Sequence, residues 1–398
     1  MYTICHIITK LELGGAQEVA LYMVSRLDRT RFRPILIAGA GGLLDDDAKR
    51  IPDIETAMLP WLGRTIHVFA DLVALVWLIR LFRRYRPAIV HTHSSKAGIL
   101  GRWAAWCAGV PVIVHTVHGY GITPAQSSMM QRCFMLLERV TGWITTQWVA
   151  VAEADVRKGR KWKLFDQNVC VIRPGIDPQS FSESPTWEQR AALRREFGVG
   201  PDDWLIGTVA CLKPQKAPQD FLALATRVCA AVPRARFVLI GDGELRPVME
   251  LLIQEAGLQE SVRLAGWRRD IAQSLRAMDV FVLTSHWEGL PRVILEARAC
   301  GLPIVAARVG GVEEAMTGYR HGCLTEAGDI EALTASVLKF RPGRAHDERN
   351  AGFDRQAAAT LPVEFHIEEM LRRYEALYEG LLQQVQTGSS PHAVGLIR

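Results

Sequence analysis

Along the chain of 398 residues, short runs rich in β-branched and aliphatic residues alternate with stretches whose apolar positions recur at helical spacing. TICHIIT, RPILIAG, PAIVHTH, PVIVHTVH and TQWVAV read as strands in the first half. WLIGTVA, RFVLIGDG, SVRLAG, DVFVLTS and LPIVAA take that part in the second. Between them, AQEVALYMVSRL, FADLVALVWLIRLFRRY, DFLALATRVCAAV and VILEARACG carry helical patterns. Strand, helix, strand with short turns predicts an α/β chain with parallel sheets covered by helices on both faces.

The alternation breaks at VIRPGIDPQSFSESPTW, a Pro-, Ser- and Gly-rich stretch that reads as a linker at about 174–187. A chain of this length exceeds one ordinary core, so two doubly wound domains are expected, 1–180 and 181–362. A last helical pattern at 363–385 is expected to pack back on the first domain, and the tail 386–398 to be poorly ordered. In such sheets ligands bind outside the carboxyl ends of the strands, and a cleft between two facing domains is the default site.

Charge adds a division of labour. Residues 1–180 hold 22 Lys/Arg against 14 Asp/Glu, while the whole chain has 47 against 42, so the excess of basic residues lies entirely in the first half. No acidic residue occurs between Asp71 and Glu138, a window containing Arg80, Arg83, Arg84, Arg86, Lys96, Arg102 and Arg132, and RKGRKWK follows at 157–163. The first half therefore looks toward an anionic surface or ligand, or carries a solvated basic face. Nucleic acid is not expected, because neither an aromatic-rich RNA motif nor a recognition-helix pattern accompanies the charge. The longest apolar run, Leu72 to Ile79, is far too short to span a bilayer, and TICHIIT reads as a buried strand rather than a cleavable signal. Eight scattered cysteines with no C-x-x-C pair argue against a metal ribbon or disulfide framework and fit a reducing cytoplasm.

SHWEGLPRVILE, at 285–296, directly follows a strand and places Glu288 in a turn and Glu296 inside the next helix. Gly289 permits a tight turn and Pro291 suits the first helical position. A helix starting there points free amides at the strand ends, a place for phosphate. Carboxylates are poor phosphate ligands but good acceptors for sugar hydroxyls. Phosphate on the amides and hydroxyls on both carboxylates describes a nucleotide-sugar, although a surface glutamate and an unrelated helix-face glutamate would show the same spacing. Lys213 and Lys216 in ACLKPQKAPQDFL, the Gly-Asp-Gly turn of LIGDGEL and Gly310-Gly311 before Glu313 stand at neighbouring strand ends.

Taken in order, LGGAQEVALYMVSRL, HTHSSKAGILGR, VHTVHGY, RPGID, KPQKAP, LIGDGE, SHWEGLPRVILEARACGLPIVAARVGGVEE and EAGD resemble the retaining glycosyltransferases of family 4. The resemblance covers nearly the whole chain and implies the GT-B fold, two facing Rossmann-like domains with a cleft between them. Glu288 and Glu296 match the family's E-x7-E signature. The resemblance implies that Glu288 contacts hydroxyls of the donor sugar, with Gly289 and Leu290 amides near sugar or phosphate, and that Glu296 holds the ribose. It further implies Lys216 at the departing diphosphate, Gly266, Trp267 and Arg268 near the base, and His118 beside the anomeric carbon. Gly14, Gly15 and His93 fall on the acceptor side. Many relatives have an arginine where this chain has Cys211, and Lys213 is the nearest cation to take its role, as a point charge without a planar fork.

The implied activity is hexosyl transfer from a nucleoside-diphosphate sugar to a saccharide or polyprenyl-diphosphate-linked acceptor, with retention, in exported polysaccharide or lipopolysaccharide synthesis. Two other classes are a nucleotide-sugar epimerase or phosphorylase on the same fold, and a non-catalytic nucleotide-sugar-binding subunit. Asp45-Asp46-Asp47 contains a literal D-x-D but reads as an exposed helix start. His91, His93, His115 and His118 would offer metal ligands, yet no carboxylate completes the set, so no metal and no other cofactor is expected. FADLVALVWLIRLFRRYR and MMQRCFMLLERVTGW are apolar and basic, as packed helices with basic ends can be. They are also the elements that would rest on an anionic membrane, at the inner face of the cytoplasmic membrane.

Overall fold

The computed structural model describes residues 1–121, 126–182, 186–341 and 361–388. The chain divides into two compact units, Met1–Pro174 with Ile367–Arg398, and Gly175–His366. These divisions fall a few residues from the boundaries at 180 and 362 expected from sequence. Ile176 already pairs with His366 within the second unit, which pulls both crossings toward those residues.

The first unit runs β1 (Tyr2–Ile8), α1 (Gly15–Arg26), β2 (Phe32–Gly39), α2 (Asp45–Lys49), β3 (Glu55–Leu59), α3 (Val68–Tyr85) and β4 (Ile89–His93). It continues through α4 (Ser95–Cys107), β5 (Val112–Val117), α5 (Ser128–Gly142), β6 (Gln147–Ala150), α6 (Glu153–Lys161) and β7 (Val169–Val171). All pairings are parallel, in the order β3-β2-β1-β4-β5-β6-β7. The order reverses between β1 and β4, where His6 lies level with His91.

The second unit begins with α7 (Pro178–Ser182) and α8 (Trp187–Glu196), both inside or just after the stretch read as a linker. Thr186 and Gln189 form a capping box, the local signal that starts α8. Then follow β8 (Trp204–Val209), α9 (Pro218–Ala231), β9 (Ala235–Ile240), α10 (Arg246–Glu255), β10 (Val262–Gly266) and α11 (Ile271–Ala277). The unit ends with β11 (Val280–Leu283), α12 (Arg292–Ala299), β12 (Ile304–Ala307), α13 (Val312–Met316), β13 (Gly322–Thr325) and α14 (Ile330–Leu338). The sheet order β10-β9-β8-β11-β12-β13, again parallel, reverses between β8 and β11. A crevice at the carboxyl ends of such a strand pair is where open α/β sheets take ligands.

The chain returns to the first unit through α15 (Ile367–Gln386). Met370, Tyr374, Tyr378, Leu381 and Leu382 recur on one helical face and pack with Ile4, Val114 and Val149. Each fully buried apolar side chain there contributes about 1.5–3 kcal/mol of transfer free energy. Residues 389–398 of the tail lie outside the described residues.

Two expectations change. Within the basic window, Lys96 and Arg102 hold ion pairs inside the unit. Lys96 Nζ lies 2.5 Å from Asp71, and Arg102 is fully buried, 2.6 Å from Glu138 and over the Trp148 ring. Pro291 is not the first helical residue; it precedes α12 with ψ near 111°, in extended backbone.

Candidate functional site

In the second unit, the loops leaving β8 and β11 are stitched together at the switch point. After β8 the chain makes a 3-10 turn, Pro214–Lys216, and Ala217 then takes a left-handed conformation (φ 45°) before Pro218 opens α9. A non-glycine residue there stores roughly 1 kcal/mol or more of strain. Thr284, just past β11, holds the turn by donating Oγ1–H toward the carbonyls of Lys216 (2.9 Å) and Ala217 (3.1 Å). The His286 amide donates to the Gln215 carbonyl at 2.9 Å, and the Gln215 amide returns a bond of 2.9 Å to the Trp287 carbonyl. These ties fix Lys216 against Glu288, with Nζ 2.5 Å from Oε1 and side chains 17% and 6% exposed. Gln215 Nε2 reaches the other oxygen of Glu288 at 3.4 Å.

A third loop, after β12, closes the assembly. The Gly311 amide donates to the Gly289 carbonyl at 2.6 Å, and Gly310 has φ 53°. A Cβ at Gly310 would stand 2.0 Å from the Glu288 carbonyl oxygen, so only glycine fits. Leu290 is buried beneath the turn. Glu296 sits in the second turn of α12, 3.8 Å from Arg292 one turn earlier. The sequence singled out Glu288, Glu296 and Lys216, and Gly310 only as one of a glycine pair; Gln215 and Thr284 were missed. Their parts are hydrogen bonds and clearances that no spacing announces.

Leu212 is fully buried, and its amide and carbonyl bond to Asp242 and Leu245 in the Gly-Asp-Gly turn. Cys211 and Lys213, on either side of it, are partly exposed. Gly266 has φ 70° and pairs with Gly241, while Trp267 is exposed. Arg268 has a structural engagement of its own. Asp270 holds it at 2.6 Å, Glu196 pairs with it, and it stands over the Phe197 ring. Its hydrogen bonds to Asp270 and then Glu196 push its pKa further up.

In the first unit, the switch point holds imidazoles. His6 on β1 and His91 and His93 on β4 share one face, and His118 follows β5. His93 Nδ1 is 3.0 Å from His118 Nε2, and His93 Nε2 is 3.3 Å from His6 Nδ1. His91 spends both nitrogens elsewhere, on Tyr378 of α15 (2.6 Å) and Thr116 (2.7 Å). His115 belongs to the opposite face, against Thr92 and Trp148, and leaves the group of four considered above. Burial lowers the pKa of His118 to about 4 and of His6 to about 3, and drives His91 and His93 well below their ordinary value. The cluster is therefore neutral at pH 7. Nitrogens of His6, His91 and His93 come within 4.8 Å of one another, a spacing three metal ligands could share. Gly14 caps and Gly15 begins α1, beyond the end of β1.

The model of the family described as Glycosyltransferase Family 4 matches residues 13–180, and that of Glycosyl transferases group 1 matches 189–354. The chain is 32% identical over 340 residues to the UDP-Gal:alpha-D-GlcNAc-diphosphoundecaprenol alpha-1,3-galactosyltransferase of Escherichia coli, covering 84% of this chain and 87% of the relative. Among solved structures it resembles Anabaena HepE in complex with UDP and glucose, with TM-score 0.79 at 22% identity, covering 96% of this chain and all of that one. WaaG, a glycosyltransferase involved in lipopolysaccharide biosynthesis, superposes with TM-score 0.77 at 15% identity over 95% of this chain and 100% of that one.

Proposed function

The chain belongs to the family 4, group 1 glycosyltransferases and has their GT-B fold, and from that premise we propose that it moves a hexose from a UDP-sugar to an undecaprenyl-diphosphate-linked saccharide, with retention of configuration. The observation that carries the reading is the Lys216–Glu288 pair, built at the switch point of the second sheet by three loops. The donor's diphosphate brings two or more negative charges to a place where Lys216 is already oriented. Lys216 turns from Glu288 to phosphate, and Glu288, released, accepts hydroxyl hydrogens of the sugar. Glu296 accepts the ribose hydroxyls, and Lys213 supplies a second cation in place of the arginine that many relatives carry.

As the glycosidic bond breaks, positive charge grows on the sugar ring and negative charge on the departing diphosphate. A lysine and the amides at the start of α12 stabilise that developing charge without any resident metal. Transfer should accordingly persist in excess chelator, and loss of rate on adding EDTA with recovery on adding Mg2+ would count against a metal-free site. The acceptor's nucleophile enters on the face from which the diphosphate leaves, which yields retention.

The lipid-linked acceptor puts the enzyme at a membrane surface, at the inner face of the cytoplasmic membrane. The first unit supports this with exposed Phe69, Leu72, Val76 and Trp77 along α3, followed by exposed Arg80, Arg83 and Arg84. Exposed Met129, Met130, Leu136 and Leu137 do the same for α5. No helix among the described residues is long and apolar enough to cross a membrane. Apolar side chains beside arginines suit an interface of anionic lipid. Flotation with anionic vesicles should show binding that weakens with salt.

The test of the activity is a donor screen with GlcNAc-diphosphoundecaprenol as acceptor, read by mass spectrometry. UDP-galactose or UDP-glucose should extend it by one hexose and GDP-mannose should not. Absence of extension with every UDP-hexose would reject the reading.

A further inference from the structure

His6, His93 and His118 form a line of three neutral imidazoles, joined at 3.3 Å and 3.0 Å, that begins in the core and ends at His118, a half-buried residue. We infer that this line fixes the tautomer of His118, with His6 as the positioning residue that makes His118 carry its proton on Nδ1.

A neutral imidazole has one N–H and one bare nitrogen, so the line can run in only two ways. If His6 donates from Nδ1 to His93 Nε2, then His93 donates from Nδ1 to His118 Nε2, and His118 keeps its own proton on Nδ1. If the line is reversed, every proton sits on Nε2, and His118 presents a bare Nδ1. The far end decides between the two. His6 Nε2 is buried and, among the described residues, has no hydrogen-bond partner. The reversed line would leave an N–H there with nothing to accept it, whereas the forward line leaves only a lone pair. A buried orphan donor is the costlier and rarer defect. Burial holds all three rings neutral near pH 7, so no extra proton blurs the choice.

The consequence deepens, and rests on, the reading of His118 as a residue beside the donor sugar. Its Nε2 is occupied by His93, so Nδ1 is the atom left for a ligand, and among the described residues it has no partner. As a donor, that atom selects an oxygen lone pair of a sugar hydroxyl. Because the ring is neutral, the bond adds no positive charge beside a sugar ring that is itself becoming cationic.

The experiment is a long-range 1H–15N correlation spectrum of the full-length protein labelled with 15N-histidine, at pH 7.5 without ligand. The His118 signals are identified by their loss in His118→Gln. The expected pattern is the Nδ1–H tautomer. The Nε2–H tautomer, an imidazolium, or one equivalent of zinc found by elemental analysis would overturn the inference. His6→Leu, which removes the first donor, should give a mixed tautomer at His118 and a fall in kcat of about 5-fold with little change in donor KM. His6→Asn sets an amide N–H where Nδ1–H stands and should restore the single tautomer. If His6→Leu does not fold, the wild-type and His6→Asn spectra still decide. The spectra need no donor, so a protein without transferase activity would sink the functional reading and leave the tautomer assignment standing.

Discussion

The two sheets reverse their strand order at equivalent places, β1/β4 in the first unit and β8/β11 in the second, yet they furnish those places with opposite chemistry. The first holds buried imidazoles that burial keeps uncharged, tied to one another and to Tyr378. The second holds a lysine and a glutamate that neutralise each other across 2.5 Å. A neutral network is pinned: its partners are internal, and breaking it costs stability. An ion pair at a loop can be exchanged for a charged ligand. The same topological position is thus a neutral scaffold in one unit and, on the proposed function, a grip in the other.

The largest effect that would break this contrast comes from Lys216→Ala. It removes the cation aimed at the leaving diphosphate and should lower kcat by about 10²–10³-fold, measured by transfer with saturating acceptor.

Acidification tests the other side. His6 and His118 have folded pKa values of about 3 and 4, below the ordinary 6.5. Below that ordinary value the unfolded chain binds protons that the folded chain refuses. Their stabilisation is therefore complete above about pH 6.5 and drains away as pH falls toward 4 and then 3, by about 1.4 kcal/mol per pH unit for each histidine involved. Thermal melts between pH 8 and 4.5 should show a steepening decline below 6.5, and a flat profile would mean that the imidazoles are not buried and neutral.

Tyr378→Phe is a smaller probe of the same network. It leaves His91 Nδ1 without its partner at 2.6 Å and should cost about 1–3 kcal/mol in denaturant unfolding, with donor affinity unchanged. Smallest of all, Lys213→Ala should weaken UDP binding by only about 3–10-fold. Lys213 is a part-exposed point charge whose contribution water screens.

The fold was legible because buried parallel strands and the helices between them carry strong periodic signals. The strands missed in sequence, β3, β7 and β13, are all at sheet edges. There, half-exposed residues such as Glu55–Leu59 and Gly322–Thr325 lose the apolar run. Glu288 and Lys216 were singled out by motif and residue type, and the structure pairs them. Gly310 was noticed only as part of a glycine pair, because its function is a clearance of 2.0 Å against another loop. His6 was read as part of a strand, since nothing in TICHIIT tells on which face, or beside which histidines, it will stand. The basic window was visible, but not that Arg102 turns inward to Glu138, a pairing between residues 36 apart.

The central claim is that Lys216 is held by Glu288 until the donor's diphosphate takes it. Calorimetric titration of UDP, which has no sugar, into the wild type, Lys216→Ala and Glu288→Gln tests it directly. Lys216→Ala should lose at least about 10-fold in affinity, while Glu288→Gln, which frees the lysine, should bind UDP as well as the wild type or more tightly. If Glu288→Gln weakens UDP as much as Lys216→Ala does, or if Lys216→Ala binds UDP like the wild type, the pair is not the diphosphate grip.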